Sequence, residues 1–394
     1  MKEVVIASAC RTPVARFQGS FSRFRAPELG ALAIREALSR AGVAPEAVEE
    51  VIMGNVLQAG VGQNPARQAA VAAGIPTSVG AFTVNKVCGS GLKSVMLGAQ
   101  AIRAGDLDIA VCGGMESMTN APYLMPDARA GSRLGHTKLI DSMVHDGLWD
   151  IYNDFHMGMT GELVADKHGI SRGAQDEFAA RSHQKAAEAT AAGRFDAEKF
   201  AVEVPQRKAD PIAFTTDENI REGMTAESIA KMRPAFKPDG GSVTAANASS
   251  INDGASALVV MSADKAKELG VTPLARVTGY ATGGVDPEWV MMAPEVSIKK
   301  LSAKLGMKPT DFELHEINEA FSAAACALTN VLDLDPEKVN VNGGAVALGH
   351  PIGASGARIL TTLLYAMKDR GAANGMASLC LGGGNAVSLG VELL

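Results

Sequence analysis

The 394-residue chain is 47% hydrophobic and 20% charged, which is typical of a folded protein of two or three domains and excludes a largely disordered one. A formal net charge of −6 offers no basic surface for nucleic acid, and no apolar run is long enough to span a membrane. Five cysteines without a Cys-x-x-Cys pair favour neither a disulfide framework nor a structural zinc site. The N-terminal apolar run is too short for a signal peptide, and these features together predict a cytoplasmic location.

The first third of the chain alternates strand and helix patterns. Buried-strand patterns occur at 4–9, 51–54, 81–87 and 109–112, and helical patterns occur near 29–37, 63–73 and 90–103. Gly42 and Gly105 stand where the first and third helices should end. The order strand, helix, strand is that of βαβ units, so this part should have an α/β fold.

The middle of the chain has a different texture. From Ala121 to Ser250 the sequence is rich in Met and Gly, with helical stretches such as 174–191 and few alternating patterns. We interpret it as an inserted, mostly irregular and helical layer that binds substrate.

The last third repeats the pattern of the first. In 89–114, small residues precede a helix, a break and an apolar strand that contains a cysteine followed by glycines. Residues 353–384 have the same succession, with Gly371 where the helix should end. A repeat this long indicates domain duplication. We therefore predict one half from residues 1–120 with 251–272, the inserted layer at 121–250 and a second half at 273–394, with a ligand site between the halves.

Cys88 lies in the stretch Asn85–Lys93, where an apolar run gives way to small residues just before a helix. The positive end of a helix dipole favours a thiolate, so the position suits a reactive nucleophile. The simpler alternative is a small buried cysteine without chemical function.

His350 stands between Gly349 and Pro351, and a residue before proline avoids helical conformation, so it should lie on a loop. There it could accept the proton of the Cys88 thiol as a general base. The alternative is a histidine that merely caps the helix starting near Gly353. The other six histidines show no metal-ligand spacing, so no metal site is predicted.

Cys380 and Asn318 are two further candidates at the ends of predicted strands. Cys380 precedes a glycine-rich stretch whose N–H groups could bind an oxyanion, and a second thiol suggests an acid/base separate from the nucleophile. It could equally be a buried strand cysteine. Asn318 could orient a water or a carbonyl, or could cap the helix at 320–327.

These segments together resemble the thiolase family over essentially the whole chain. The matching stretches are 85–93 (NKVCGSGLK), 113–123 (GGMESMTNAPY), 318–321 (NEAF), 342–358 (NGGAVALGHPIGASGAR) and 380–384 (CLGGG). The resemblance implies a thiolase fold, an α/β architecture of two duplicated βαβαβαββ halves, each with a five-stranded mixed sheet, and an inserted loop domain.

The resemblance also implies roles for individual residues. Cys88 would carry the acyl group as a thioester, His350 would activate it, and Cys380 would remove the α-proton of the second acyl-CoA. Asn318, through a water, and His350 would stabilise the enolate, and the backbone N–H groups of Cys88 and Gly382 would stabilise the tetrahedral intermediate. No cofactor is implied, because coenzyme A thioesters are the substrates.

Within the family, 134–150, 155–158 and 247–249 resemble the biosynthetic, tetrameric branch. This implies a dimer of dimers that joins two acetyl-CoA molecules into acetoacetyl-CoA and CoA by ping-pong kinetics, with no nucleic-acid or membrane partner. The implied substrate-binding residues are Leu148, His156, Met157, Arg221, Ser228, Phe236, Ser249, Ala320 and Phe321.

Four other classes of protein could account for parts of this sequence. A degradative 3-ketoacyl-CoA thiolase of fatty-acid β-oxidation would share the chemistry and differ in pocket length. A β-ketoacyl synthase relative would use one Cys and two His, and here Cys380 stands in place of the second His. A nicotinamide-dependent oxidoreductase would need a G-x-G-x-x-G after the first strand, which is absent. An inactive scaffold would be expected to have lost Cys88 or His350.

Two departures from the family pattern bear on substrate length. Gly161 stands where the family commonly has alanine, and Asn385–Ala386 follow the glycine-rich stretch. Both lie close enough to the predicted pocket to leave the preferred acyl length open.

Overall fold

A large mixed sheet forms the centre of the molecule in the computed structural model, which describes residues 2–394. The strands are β1 (Val4–Arg11), β2 (Ala15–Arg16), β3 (Glu50–Gly54), β4 (Gly80–Val84), β5 (Ile109–Ser117), β6 (Tyr123–Leu124), β7 (Ile140–Asp141), β8 (Trp149–Asp150), β9 (Phe155–His156), β10 (Val202–Val204), β11 (Ile212–Phe214), β12 (Asn252–Ser262), β13 (Ala275–Gly284), β14 (Leu314–Ile317), β15 (Asn374–Leu381) and β16 (Asn385–Leu393). The helices are α1 (Ala26–Ala41), α2 (Pro65–Ala72), α3 (Ser90–Ala104), α4 (Met157–His168), α5 (Arg172–Ala191), α6 (Ala226–Ile229), α7 (Ala263–Leu269), α8 (Ala293–Lys304), α9 (Ser322–Val331), α10 (Ala345–Leu348) and α11 (Ile352–Arg370).

The strand order shows the duplication directly. The sheet runs β14-β15-β16-β13-β1-β12-β5-β3-β4, with β2 on the side of β12. On either side of the β1–β13 contact the pairing is the same: two antiparallel neighbours, then a parallel partner. The predicted thiolase architecture of two α/β halves is confirmed.

The two halves differ at their outer edges. In the first half β4 pairs in parallel with β3 over five residues. In the second half the corresponding strand is reduced to a single bridge between His315 and Val339. The fifth strand is therefore complete in the first half and vestigial in the second.

Helices α3 and α11 are packed against each other between the halves, and glycines make this possible. A side chain at Gly91 would meet the backbone nitrogen of Ala357 at 2.7 Å, and one at Gly356 would meet that of Leu92 at 2.3 Å. The predicted helix stops are confirmed, since Gly105 ends α3 and Gly371 ends α11, both in the left-handed conformation. The close contact brings the N-terminal ends of the two helices together.

The inserted segment 121–250, described throughout, contributes none of its strands to the large sheet. Its strands form two-stranded pairs, and its helices are α4, α5, α6, a 3-10 helix at Pro126–Ala128 and a π-helix at Met143–Leu148. This matches the expected irregular and helical character, while the exact domain boundaries stay a prediction. Across residues 2–394, no helix combines the length and apolar character that crossing a membrane requires.

Candidate active site

A cavity of about 550 Å³ lies at the N-terminal ends of α3 and α11, between the two halves and the inserted segment. It brings together residues that are far apart in the sequence and that the sequence analysis singled out. Twelve of the fourteen predicted site residues line it, namely Cys88, Leu148, His156, Met157, Arg221, Phe236, Ser249, Ala320, Phe321, His350, Cys380 and Gly382.

The two remaining predicted residues lie elsewhere. Asn318 stands behind His350, with its side-chain nitrogen 3.5 Å from the imidazole Nε2. Ser228 is exposed on α6, where its hydroxyl donates to the Thr225 carbonyl and its N–H is capped by the Thr225 hydroxyl. Ser228 therefore does not line the cavity, and a contact with the nucleotide end of a substrate stays a prediction.

Cys88 is presented by a tight turn that immediately precedes α3. Asn85 Oδ1 accepts the N–H of Val87, and the Ser90 hydroxyl accepts from Lys86 and donates to the Val87 carbonyl. Val87 itself has φ of 46°, a left-handed conformation that is rare for a β-branched residue and costs about 1–3 kcal/mol. The turn with this conformation places Cys88 at the wall of the cavity described above.

The expectation that the helix N-terminus makes Cys88 a thiolate is wrong. Enclosure within the protein and the neighbouring Cys380 raise the pKa of the Cys88 thiol well above its ordinary value, and these effects outweigh the backbone N–H groups of Cys88 and Gly382 that favour the thiolate. The helix N-terminus therefore does not produce a resting thiolate. Attack by Cys88 needs a base.

His350 is held in a single tautomer that suits this task. The Ser355 hydroxyl donates to the Pro351 carbonyl at 2.9 Å, so at 2.6 Å from His350 Nδ1 it must accept the Nδ1 proton. Nε2 is therefore the unprotonated nitrogen, and the amide of Asn318 is placed to donate to it. The backbone N–H of His350 donates to Asn252 Oδ1 at 2.9 Å, which fixes the loop.

Burial and the nearby Arg358 lower the pKa of His350 to about 3, so the imidazole is neutral in the resting site. The alternative in which His350 is only a helix cap does not hold, because Pro351 is the N-terminal cap of α11. Likewise Phe321, and not Asn318, caps α9. Asn318 Oδ1 is buried and has no hydrogen-bond partner among residues 2–394, which fits a group that binds a water.

Cys380 lies near the end of β15, on the opposite half from Cys88. Burial raises the pKa of its thiol to about 12, and its sulfur contacts Met291 Sδ at 3.7 Å. Gly382, two residues on, lines the same cavity, and its backbone N–H favours the Cys88 thiolate. Two protonated thiols, one unprotonated imidazole nitrogen and a convergent backbone donor thus share one cavity.

Glu116, a buried carboxylate that was not predicted as a site residue, links the loop after β3 to the N-terminal end of α11. Glu116 accepts from Asn55 Nδ2 at 2.6 Å and from the backbone N–H groups of Val56, Leu57 and Gly353 at 3.0, 3.2 and 2.9 Å. Burial raises its pKa to about 7 against these donors. The signal was available, since Glu116 is the one charged residue in the apolar run of β5.

One wall of the cavity is aromatic. The His156 ring stacks on Phe236 with centroids 4.7 Å apart, and Phe236 meets Phe321 edge-on at 6.2 Å. His156 Nδ1 accepts the N–H of Gly158, so its Nε2 carries the proton.

Arg221 supplies a local positive charge at the cavity, and Arg16, which the sequence analysis did not select, supplies another. These cations can hold an anionic group despite the net negative charge of the chain. Within residues 2–394, no cluster of three His, Cys, Asp or Glu side chains is arranged to hold a metal ion.

The raised thiol pKa leads to a testable pH dependence. In substrate-free protein, we expect iodoacetamide to alkylate Cys88 at a rate that rises about tenfold per pH unit from about pH 7 to about pH 9, because the thiolate fraction grows without reaching a plateau. Peptide mass spectrometry resolves this rate from that of the other cysteines. A rate that levels off near neutral pH would instead indicate a preformed thiolate.

Comparison with known proteins agrees with the geometry. The family model described as "Thiolase, N-terminal domain" matches residues 4–264, and the one described as "Thiolase, C-terminal domain" matches residues 271–393. The chain belongs to the thiolase family. The resemblance stated from its motifs is confirmed.

Individual thiolases are similar over their full length. An acetyl-CoA acetyltransferase of Cupriavidus necator is 58% identical over 100% of both chains, and one of Pseudomonas aeruginosa is 55% identical over 99% of both. A probable acetyl-CoA acyltransferase of Staphylococcus aureus is 51% identical over 98% of both chains. The crystal structure of the Bacillus anthracis acetyl-CoA acetyltransferase superposes with a TM-score of 0.98 at 43% identity, covering 100% of this chain and 99% of that one.

Proposed function

We propose that this thiolase is an acetyl-CoA C-acetyltransferase, which condenses two acetyl-CoA molecules to acetoacetyl-CoA and CoA and catalyses the reverse thiolysis. The observation that carries the proposal is the convergence of Cys88, His350 and Cys380 on one cavity, which Gly382 also lines. The names of the full-length relatives support the choice of substrate.

In the first half-reaction, the Cys88 sulfur attacks the thioester carbon of acetyl-CoA while His350 Nε2 takes the thiol proton. The unprotonated state of Nε2 follows from the Ser355 contact. The C–S bond to CoA breaks, and Cys380 gives its proton to the departing CoA sulfur. The site is left with acetyl-Cys88, an imidazolium at His350 and a thiolate at Cys380.

In the second half-reaction, the Cys380 thiolate removes the α-proton of a second acetyl-CoA. The resulting carbanion attacks the acetyl group on Cys88, forming the new C–C bond. Cys88 leaves as a thiolate and recovers its proton from His350. His350 returns its proton to Cys88, and Cys380 replaces the proton it gave to CoA with the α-proton of the second acetyl-CoA, so the cycle needs no external acid or base.

Two sets of donors would stabilise the negative charge on oxygen. The imidazolium of His350 and a water bound by Asn318 would donate to the enolate oxygen; the Asn318 Oδ1 without a partner in residues 2–394 and its side chain beside His350 support this. The N–H groups of Cys88 and Gly382 suit the tetrahedral intermediate. Loss of one such donor typically costs about 3 kcal/mol of transition-state stabilisation.

The length of the preferred substrate tests this function against the degradative alternative. We expect thiolysis of acetoacetyl-CoA with a kcat/KM well above that for 3-oxodecanoyl-CoA, because Leu148, Met157 and the aromatic wall enclose the apolar part of the cavity. Absorbance of the 3-ketoacyl-CoA follows both reactions. A clear preference for the long substrate would favour the β-oxidation thiolase instead.

We further propose a homotetramer, a dimer of dimers, in the cytoplasm, with a role in fatty acid metabolism. Exposed apolar side chains in the inserted segment support the assembly: Leu134 is 99% exposed and Leu139 64%. The five free cysteines support a reducing compartment. Light scattering should give four subunits, and a dimer alone would contradict the assembly.

A further inference from the structure

Gly161 occupies the middle of α4 and is buried there. Glycine is poorly suited to a helix interior, where it loses more conformational freedom than any other residue. A glycine at this position is explained by the close packing of the neighbouring side chains, which leaves little room for a larger residue. A Cβ at position 161 would stand 3.2 Å from both Phe321 Cγ and Val243 Cγ2.

Phe321 links this contact to the substrate cavity. Its ring lines the cavity and meets Phe236 edge-on, and Phe236 in turn stacks on His156, so the position of one ring is coupled to the whole aromatic wall. The missing methyl group at Gly161 allows the Phe321 ring to lie directly against the backbone of α4. The Phe321 ring therefore occupies less of the cavity than it would beside an alanine.

We propose that Gly161 is a specificity-determining residue that sets the width of the acyl end of the cavity and admits short 3-ketoacyl-CoA thioesters longer than acetoacetyl-CoA. This inference rests on the proposed function, because it names the substrate class of the same site. It concerns a residue that does not itself line the cavity.

A methyl group at position 161 would displace Phe321 and not Val243. At 3.2 Å the neighbouring atoms must give way by a few tenths of an ångström. Val243 is fully buried, whereas Phe321 is 8% exposed and adjoins the free volume of the cavity. The ring therefore moves towards the substrate, and this narrows the space for additional methylene groups.

The test compares thiolysis of 3-oxohexanoyl-CoA and acetoacetyl-CoA by the full-length protein and its Gly161→Ala variant. We expect the ratio of kcat/KM for the longer substrate over the shorter to fall about tenfold, the usual effect of a methylene that no longer fits an apolar pocket. The matched control is Gly173→Ala on α5, where the nearest heavy atom is 3.9 Å away. Its ratio should equal that of the wild type.

The Phe321→Leu variant separates a pocket effect from a general disturbance of α4. By itself, Phe321→Leu should raise the kcat/KM ratio of 3-oxohexanoyl-CoA over acetoacetyl-CoA, because the ring that limits the pocket is gone. When Phe321→Leu is already present, the Gly161→Ala change should no longer alter this ratio. Any of three results would overturn the inference: an unchanged kcat/KM ratio in Gly161→Ala, an unchanged ratio in Phe321→Leu, or the same decrease in the ratio on Gly161→Ala substitution with and without Phe321. Failure of the wild type to cleave acetoacetyl-CoA would overturn the proposed function instead.

Discussion

Replacement of Cys88 by serine should abolish the covalent acetyl-enzyme and lower kcat on the order of 10⁶-fold, the scale on which removal of a nucleophile acts in enzymes that form acyl intermediates. Serine keeps the size of the side chain but has a far less acidic hydroxyl. The enclosed position that already raises the pKa of the Cys88 thiol would make its ionisation harder still. Intact mass after exposure to acetyl-CoA alone measures the effect: an acetyl increment on the wild type and none on Cys88→Ser.

The Cys380→Ser variant is the matched control, because it changes the other thiol of the same cavity. It should still gain the acetyl group, more slowly than the wild type, because attack depends on Cys88 and His350 and only the protonation of the departing CoA sulfur is lost. It should lose condensation, because no thiolate is left to remove the α-proton. An increment that survives in Cys88→Ser would assign the nucleophile to another residue. Loss of the increment in Cys380→Ser alone would reverse the two roles.

Much of the fold could be predicted because local signals and the long-range repeat agree. The periodic apolar residues after Cys88 and Gly353 predicted the helices that became α3 and α11, and glycines marked where both end. The duplication predicted a ligand site between the two halves, and the cavity lies there. The vestigial edge strand at Val339 could not be predicted, since its single bridge depends on packing against His315 and not on a strand pattern.

The residues of the site could be predicted from the sequence, but the backbone conformation and the thiol pKa could not. Glycine-flanked Cys88, His350 and Cys380 stand out in the sequence, but the left-handed conformation of Val87 does not, because a β-branched residue is the last expected there. The pKa of Cys88 also could not be predicted. Its direction depends on how completely the folded protein encloses the thiol, which outweighs the helix end visible in the sequence.

The twofold relation of the halves explains why the catalytic groups converge. Cys88 precedes α3 in the first half, and His350 precedes the equivalent α11 in the second. Because glycines at 91 and 356 let these helices approach closely, their N-terminal ends meet at one place. Duplication thus produced two equivalent helix ends, one of which carries the proposed nucleophile Cys88 and the other the proposed base His350.

Replacement of His350 by alanine should lower kcat on the order of 10⁴-fold, because one side chain performs two tasks. A positioned general base contributes about 10²–10⁴-fold, and loss of an oxyanion donor costs about 10²–10³-fold. In the resting site the thiol is protonated and His350 Nε2 is free to accept the proton, so Cys88 loses its activation when the imidazole is removed. Steady-state thiolysis of acetoacetyl-CoA gives the effect on kcat.

Two further measurements decide whether this loss is chemical or structural. Added imidazole should restore part of the activity of His350→Ala, since the space left beside Ser355 and Asn318 matches the missing ring. His168→Ala, at the end of α4 and away from the cavity, should keep wild-type kcat. A His350→Ala variant that is acetylated by acetyl-CoA as fast as the wild type would contradict the assignment of His350 as the base for Cys88, because acyl transfer would then proceed without its Nε2.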